Sequence, residues 1–580
     1  MSSTPFECSA ETNQYDLSCQ IVHNDYRYSE ASAAWTLICA MVIFFMRAGF
    51  MMIELSFSSE VPERRNIVFL KYLDVSASAV GFWLFGFQIS NINGLSNSSI
   101  FLNSVVVIED QVTCNRVIPY ISWFFKFGFA SNTATLMGGL LVRCKYKLRV
   151  LSAFLNALII AGIVHPIIAR IVWGADRGDF LSPYRFCRTE EDVAKNVTIG
   201  DGYFDRIYLL DFAGGGAVHI VGGMASLGLT LIVSTQLWWD KRVEEKENKH
   251  KLQKQQKQQK QLQQQPQQED EDPNEDQEPK NLKERLCKPT YFIRYMYPKN
   301  GGDDNIEQAA SGVFILWFGW FAFNCGTTES LEGPLRDYPV YSNIAGRIAV
   351  NMITSAAGGG ITATLIATTV QTLTKGKAIN CNEIANGILT SLVAITSNCP
   401  YVDSITAFYI GVIAVLLYHL GVYIEYLANI FDTGRVIPVH AFGGTWSLLA
   451  GGLFVLHNSE YEYIRETYEG VCFCNLELPQ LNYIERLGAQ VIGVILISSF
   501  TLVMMSVFYI TFFCIRLDLI LKLGNTKVGN AICDRLAFGK GGFLLICQKE
   551  DIPFNADYDG GGNGSQLDLQ DLKGASTTET

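Results

Sequence analysis

The sequence predicts an all-α membrane protein that crosses the bilayer many times, and three observations predict it. Of its 580 residues, 49% are hydrophobic and only 17% are charged. The apolar residues gather into eleven long runs, and lysine and arginine crowd into alternate connections between them. A run of about 20 apolar residues spans a bilayer as a helix. The runs are residues 32–53, 67–90, 119–141, 150–173, 209–235, 309–328, 343–373, 383–398, 404–427, 436–457 and 487–516. The eighth is short, and the eleventh is long enough to project beyond the membrane.

Cationic residues set the orientation, because cytoplasmic loops carry an excess of them. Arg64 and Arg65 follow the first span, and Arg143, Lys145, Lys147 and Arg149 fill the connection between the third and fourth. Lys241 and Arg242 follow the fifth, and Lys375 and Lys377 follow the seventh. All fall on one side, so the N-terminus is expected outside and the C-terminus inside. Residues 1–31 hold no apolar core of a signal peptide, so they are expected to form an extracellular segment without cleavage. On the same side lie the glycosylation triplets beginning at Asn97 and Asn196. Cys8, Cys19, Cys114, Cys187, Cys472 and Cys474 also fall there, where disulfides persist, although the sequence does not choose a pairing. The close pair Cys472 and Cys474 raises metal binding, but no cluster of further ligands accompanies it.

Two regions stand apart from the spans. Residues 241–285 carry "KQQKQQKQLQQQPQQ" and then "EDEDPNEDQEP", too poor in apolar residues to offset chain entropy. They predict a disordered centre to a cytoplasmic loop, 241–305, between spans five and six. Residues 523–580 predict a cytoplasmic tail, largely disordered. The formal net charge of −11 comes largely from these soluble parts and says little about partners.

Within the apolar runs, ionisable groups are costly and mark a pathway or a site. Residues 211–223 read "DFAGGGAVHIVGG", which sets Asp211 and His219 in span five. Span ten carries His440 in "VIPVHAFGGTWSLLAGG". Small residues follow both histidines, which lets helix backbones approach closely. Neutral imidazoles can pass a hydrogen bond or a proton, which suits a pore. Zinc is a weaker reading, since no further cysteine or carboxylate lies at a matching depth. No nucleophile–base pair, phosphate loop or carboxylate dyad appears at a common depth either, so an enzyme is not expected, and neither is a cofactor.

These stretches carry a family resemblance. "DFAGGGAVHIVGG" resembles the signature of the ammonium transporter (Amt/Mep/Rh) superfamily, Amt branch. In order along the chain, "FFMRAGFMMIE" (44–54), "LKYLDVSASAVGFWLFGF" (70–87), "FFKFGFASNTAT" (124–135) and "HPIIARIVWG" (165–174) resemble its first four helices. "LWFGWFAFNCGTT" (316–328), "ANGILTSLVAIT" (385–396) and "VHAFGG" (439–444) complete the set. The resemblance covers residues 32–522 apart from the loop 241–305.

The resemblance implies two inverted five-helix repeats plus a long final helix, assembled as a homotrimer with a pore in each subunit. It implies transport of ammonium or ammonia, with methylammonium as a further substrate, across a lipid bilayer, expected to be the plasma membrane. Nucleic acid is not an expected partner. An outer aromatic site would comprise Trp173, Phe129 and Thr327, since aromatic faces attract a compact cation and a hydroxyl accepts one N–H bond. Phe129 and Phe323 would stack below it to exclude water, and His219 and His440 would line the apolar pore beneath. Ammonium can shed a proton and cross as ammonia, which potassium and sodium cannot do, so net charge movement implies a separate proton route. Asp211 would cap the start of its helix and contribute negative potential, in preference to taking the proton itself. Three positions depart from the family pattern: Arg143 for glutamate, Arg435 for aspartate and Arg170 for histidine. The tail "KVGNAICDRLAFGKGG" resembles the family's C-terminal motif only faintly. A non-conducting ammonium sensor of the same fold is the alternative.

Overall fold

The computed structural model describes residues 30–56, 61–90, 118–137, 149–174, 181–183, 187–188, 207–231, 282–287, 289–297, 305–329, 331, 340–430, 432, 434–455, 475–476 and 481–523. One compact unit covers Met1–Ile520 and a second covers Leu521–Thr580, of which only the first three residues are described. Asn97, Asn196, Arg143, the polar segment 241–281 and the tail beyond 523 lie outside the described residues, as do the cysteines named above apart from Cys187.

The described chain is mostly helical. α1 is Glu30–Ser56. α2 runs from Val61 to Ser90 and passes through a π-helical turn at Phe82–Gly86. α3 is Ile118–Thr135. α4 runs from Arg149 to Trp173 with a π-turn at Ile160–Val164. α5 starts as the π-turn Gly215–Ile220 and continues to Leu231. Two short helices follow, α6 at Leu282–Cys287 and α7 at Pro289–Met296. α8 is Ile306–Gly326, α9 Val340–Thr374, α10 Cys381–Ile395 and α11 Ser404–Ala428. α12 opens with the π-turn Ile437–Phe442 and continues as Gly443–Phe454, and α13 is Tyr483–Leu523. β1, Cys187–Arg188, pairs antiparallel with β2, Asn475–Leu476.

Seven of the described helices are long and apolar enough to cross a membrane. Two more, Gly215–Leu231 and Cys381–Ile395, are apolar but shorter. The outward faces carry apolar side chains, among them Ile38, Met41 and Phe45 on α1 and Phe314 and Phe318 on α8. In water such faces would be a large liability, whereas lipid solvates them. The protein is a multi-pass membrane protein.

The interior holds what lipid cannot solvate. Arg47 of α1 bonds Asp74 of α2 at 3.1 Å and the Ser131 carbonyl of α3 at 2.7 Å. Thr135 also donates to Asp74, so two opposite charges and their hydroxyl partners tie three helices together. Unpaired, either charge would be strongly destabilising in this setting.

The predicted disorder of the loop before span six does not extend through its end. α6 and α7 are ordered helices docked on α11. Arg285 donates to the Tyr426 carbonyl and the Asn429 side-chain oxygen, and its guanidinium lies 5.5 Å from the Tyr426 ring centre. Phe292 sits edge-on to Tyr423 at 5.0 Å, and the Tyr297 hydroxyl meets His419 Nε2 at 2.8 Å. The signal lies in "PTYFIRYMYP", whose aromatic residues contrast with the glutamine tract before it.

Candidate conduction site

The start of α5 explains why an aspartate opens a glycine-rich run. Gly214 has φ +94°, a left-handed conformation that favours glycine. The turn aims the first N–H groups of α5 back at Asp211. Its Oδ2 accepts from the Gly216 N–H (3.1 Å) and the Ala217 N–H (2.9 Å), and its Oδ1 accepts from the Ser397 hydroxyl (2.8 Å). Asp211 is 1% exposed. It caps the start of α5.

Both histidines lie on π-turns, a form enriched at functional sites. The N–H groups of Val218 and His219 converge on the Gly214 carbonyl, at 3.0 and 3.1 Å. On α12, the Ile437 N–H donates to Asp432 Oδ2 at 2.7 Å. Burial raises the Asp432 carboxyl above its ordinary range, while the Ile437 N–H and Arg435 pull it back down. Asp432 thus stands eight residues before His440, as Asp211 stands eight before His219, and each caps the helix of its histidine. That spacing was present in the sequence, but the flanking residues "FDTGR" share nothing else with "DFAGG".

The two helices meet through their small residues. A Cβ on Gly223 would lie 2.8 Å from the Ala441 Cα, and one on Gly444 would lie 3.0 Å from the Ile220 backbone N. This approach brings His219 Nδ1 to 3.1 Å from His440 Nδ1, with ring centres 5.1 Å apart and planes within 14°. Two bare lone pairs cannot bond, so one Nδ1 carries the proton and the other accepts it. The Nε2 atoms then differ: the ring that donates through Nδ1 has an accepting Nε2, and its partner has a donating Nε2–H. His219 Nε2 has no hydrogen-bond partner.

Rings continue from this pair in one column. The His219 ring centre is 5.9 Å from that of Phe323, and Phe323 stacks on Phe129 at 4.2 Å with planes 27° apart. Phe129 meets Trp173 edge-on at 5.9 Å. Trp173 is fixed by its indole N–H, which donates to the Asp211 carbonyl at 2.7 Å. Thr327 lies one turn beyond Phe323 and donates its hydroxyl to the Phe323 carbonyl at 2.8 Å, which leaves its oxygen able to accept. Residues from α3, α4, α5, α8 and α12 are therefore brought together in one column.

Three other residues belong to this column. Trp320 stacks on His219 at 5.4 Å and is anchored by its N–H to Thr396 at 3.2 Å. Ser397 holds Asp211. His165, 3% exposed, places Nδ1 at 2.9 Å from the Ala217 carbonyl and its ring 6.4 Å from Trp173. Of the departures from the family pattern, Arg435 has φ +52° and lies 3.7 Å from Glu425, and Arg170 occupies the last turn of α4 before Trp173.

Residues 34–256 and 293–530 match the Ammonium Transporter Family, and the chain belongs to that family, a family of transporters and not of enzymes. It is 27% identical over 427 residues to ammonium transporter Amt2 of Archaeoglobus fulgidus, across 72% of this chain and 70% of that protein. It is 26% identical over 420 residues to putative ammonium transporter sll1017 of Synechocystis, across 72% and 74% of the two chains. The fold is similar to that of Mep2 from Candida albicans, with TM-score 0.55 and 17% identity over 90% of this chain and 94% of that one. It is also similar to a protein titled Sensor Amt Protein, with TM-score 0.54 and 22% identity over 86% and 94%.

Proposed function

We propose that this protein conducts ammonium across the plasma membrane as a homotrimer, each subunit crossing eleven times with its N-terminus outside. The single observation that carries the reading is the 3.1 Å His219–His440 contact at the end of a continuous ring column. Trp173 and Phe129 attract the cation by their faces, Thr327 accepts one N–H, and buried Asp211 supplies negative potential. The stacked Phe129 and Phe323 separate this site from the passage below.

Ammonium loses a proton on entering that passage, because desolvating the intact charge in an apolar pore is expensive. Potassium pays the same desolvation and has no proton to release. Ammonia is both donor and acceptor, and the paired imidazoles offer one accepting and one donating Nε2. The proton follows its own route, so transport moves net charge.

A non-conducting sensor would keep the same outer site, and the docked α6–α7 segment gives such a protein a cytoplasmic surface. Ammonium uptake separates the two readings. In cells lacking their own uptake system, the wild type should restore growth on low ammonium and carry methylammonium tracer. His219→Ala/His440→Ala should reach the membrane and carry none. Normal transport by that double variant would sink the proposed path; no transport by the wild type would favour the sensor.

A further inference from the structure

A second polar site lies beyond the histidine pair. A cavity of about 50 Å³ borders His440 and Trp320, but neither phenylalanine of the stack. Its polar lining comes from Glu54 of α1, Thr135 of α3, Asn386 of α10 and His440 of α12, and the rest is mostly apolar. Three of these have acceptor capacity to offer. Glu54 Oε1 pairs with Lys71 Nζ at 2.5 Å, while its Oε2 is buried and has no hydrogen-bond partner. Asn386 uses its side-chain N–H on the Tyr418 hydroxyl at 3.1 Å, and no described group donates to its side-chain oxygen Oδ1. His440 uses Nδ1 on His219 and keeps Nε2. Thr135 is occupied, since its hydroxyl donates to Asp74 and its carbonyl accepts from Lys71 at 3.3 Å.

We infer that this cavity is an inner ammonium-binding site, with the Glu54 carboxylate as its charge-bearing residue. A group with four N–H donors and no acceptor is satisfied only where acceptors converge. Lys71, which could otherwise donate into the cavity, is engaged by Glu54 and Thr135. The volume holds one or two small molecules. If His440 Nε2 carries a proton instead, it donates to the lone pair of the arriving ammonia. Lys71 and Arg47 balance Glu54 and Asp74, leaving the local net charge near zero. The site therefore holds a cation weakly, which suits a place of release. Arg435, where the family pattern has an acid, does not line the cavity and points its charge at Glu425.

This inference rests on the conduction reading, and one experiment tells their failures apart. Full-length protein is reconstituted in liposomes, and ammonium-evoked currents are recorded with the gradient in each direction. Glu54→Gln alone would leave Lys71 buried without its partner, so the informative variant is Glu54→Gln/Lys71→Met, which removes the pair together. Loss of a charge-assisted hydrogen bond should raise the half-saturating ammonium at the inner face by about tenfold or more. The outer value should move by less than twofold, and Glu54→Asp should recover part of the inner affinity. An unshifted inner value in a folded double variant overturns the inner site alone. So does an equal shift on both faces, which would mean general damage. A wild type that passes no ammonium in either direction overturns conduction and this site with it.

Discussion

Gly223→Ala tests whether the histidine contact is set by how closely two helices approach. Gly223 lies one turn after His219, and its missing side chain is where α12 passes. An added Cβ would lie 2.8 Å from both the Cα and the Cβ of Ala441, the neighbour of His440, and still nearer its backbone nitrogen. Ordinary contact begins near 3.4 Å and the Ala441 nitrogen would lie at 2.4 Å, so the helices must part by about 1 Å. Backbone on both sides leaves no flexible side chain to absorb that shift. Added to 3.1 Å, it takes the two Nδ1 atoms to about 4.1 Å, outside hydrogen-bond range. Overpacking of this kind typically costs about 1–3 kcal/mol, enough to lower thermal stability without preventing folding. Ammonium-evoked current should fall at least tenfold, in protein that still reaches the membrane. Gly228→Ala on the same helix is the control, because its Cβ would meet nothing closer than 3.6 Å. If Gly223→Ala conducts like the wild type at similar stability, the 3.1 Å contact is not what conduction depends on.

Three further outcomes are expected. Trp173→Leu removes an aromatic face worth about 0.5–2 kcal/mol, so external ammonium affinity should weaken about 2–30-fold in uptake assays, and unchanged affinity and selectivity would place the cage elsewhere. Asp211→Ala strips the cap from α5 and leaves the Ser397 hydroxyl unmatched, so thermal unfolding should shift by an equivalent of about 1–2 kcal/mol or more, whereas Thr327→Ser should leave it unmoved. Deleting residues 246–280 should leave membrane delivery intact, whereas extending the deletion through Met296 should impair it, because it removes Arg285 and Phe292 from their contacts on α11; equal results from both would mean that docking contributes nothing.

What was legible in the sequence follows from which physical signals are local. Spans are legible because bilayer thickness fixes a run length, and described helices lie in all the predicted runs. Span eight appears as Cys381–Ile395, short as expected from its run. The site residues were legible through ordered motifs, and the fold brings Trp173, Phe129, Phe323, His219 and His440 into one column. What was not legible depends on approach between distant segments. Trp320 looks like any core aromatic until it stacks on His219. His165 lies in an apolar run with no distinguishing spacing, and only packing puts it beside Trp173. The contacts of α6 and α7 were hidden because a glutamine tract dominates the composition of their loop. Glu54 reads as a span-end carboxylate and Lys71 as a span-start cation, a common and uninformative arrangement, until α1 and α2 bring them together beside His440.

The two aspartates bear on why the histidines face each other at all. A helix start buried in a membrane protein leaves N–H groups that lipid cannot satisfy. Asp211 answers this for α5 and Asp432 for α12, in each case with a π-turn between the cap and the histidine. The widened turn shifts the helical face, and eight residues from cap to imidazole is the same distance in both halves. A repeated cap therefore sets a repeated depth, and glycines at the crossing convert equal depth into contact. The surroundings of the two caps differ. Around Asp211 the neighbours are Trp173, Ser397 and the first N–H groups of α5. Around Asp432 the neighbours are Glu425 and Arg435. The repeated cap and spacing fix where the two imidazoles meet, while the residues around each cap differ between the two helices.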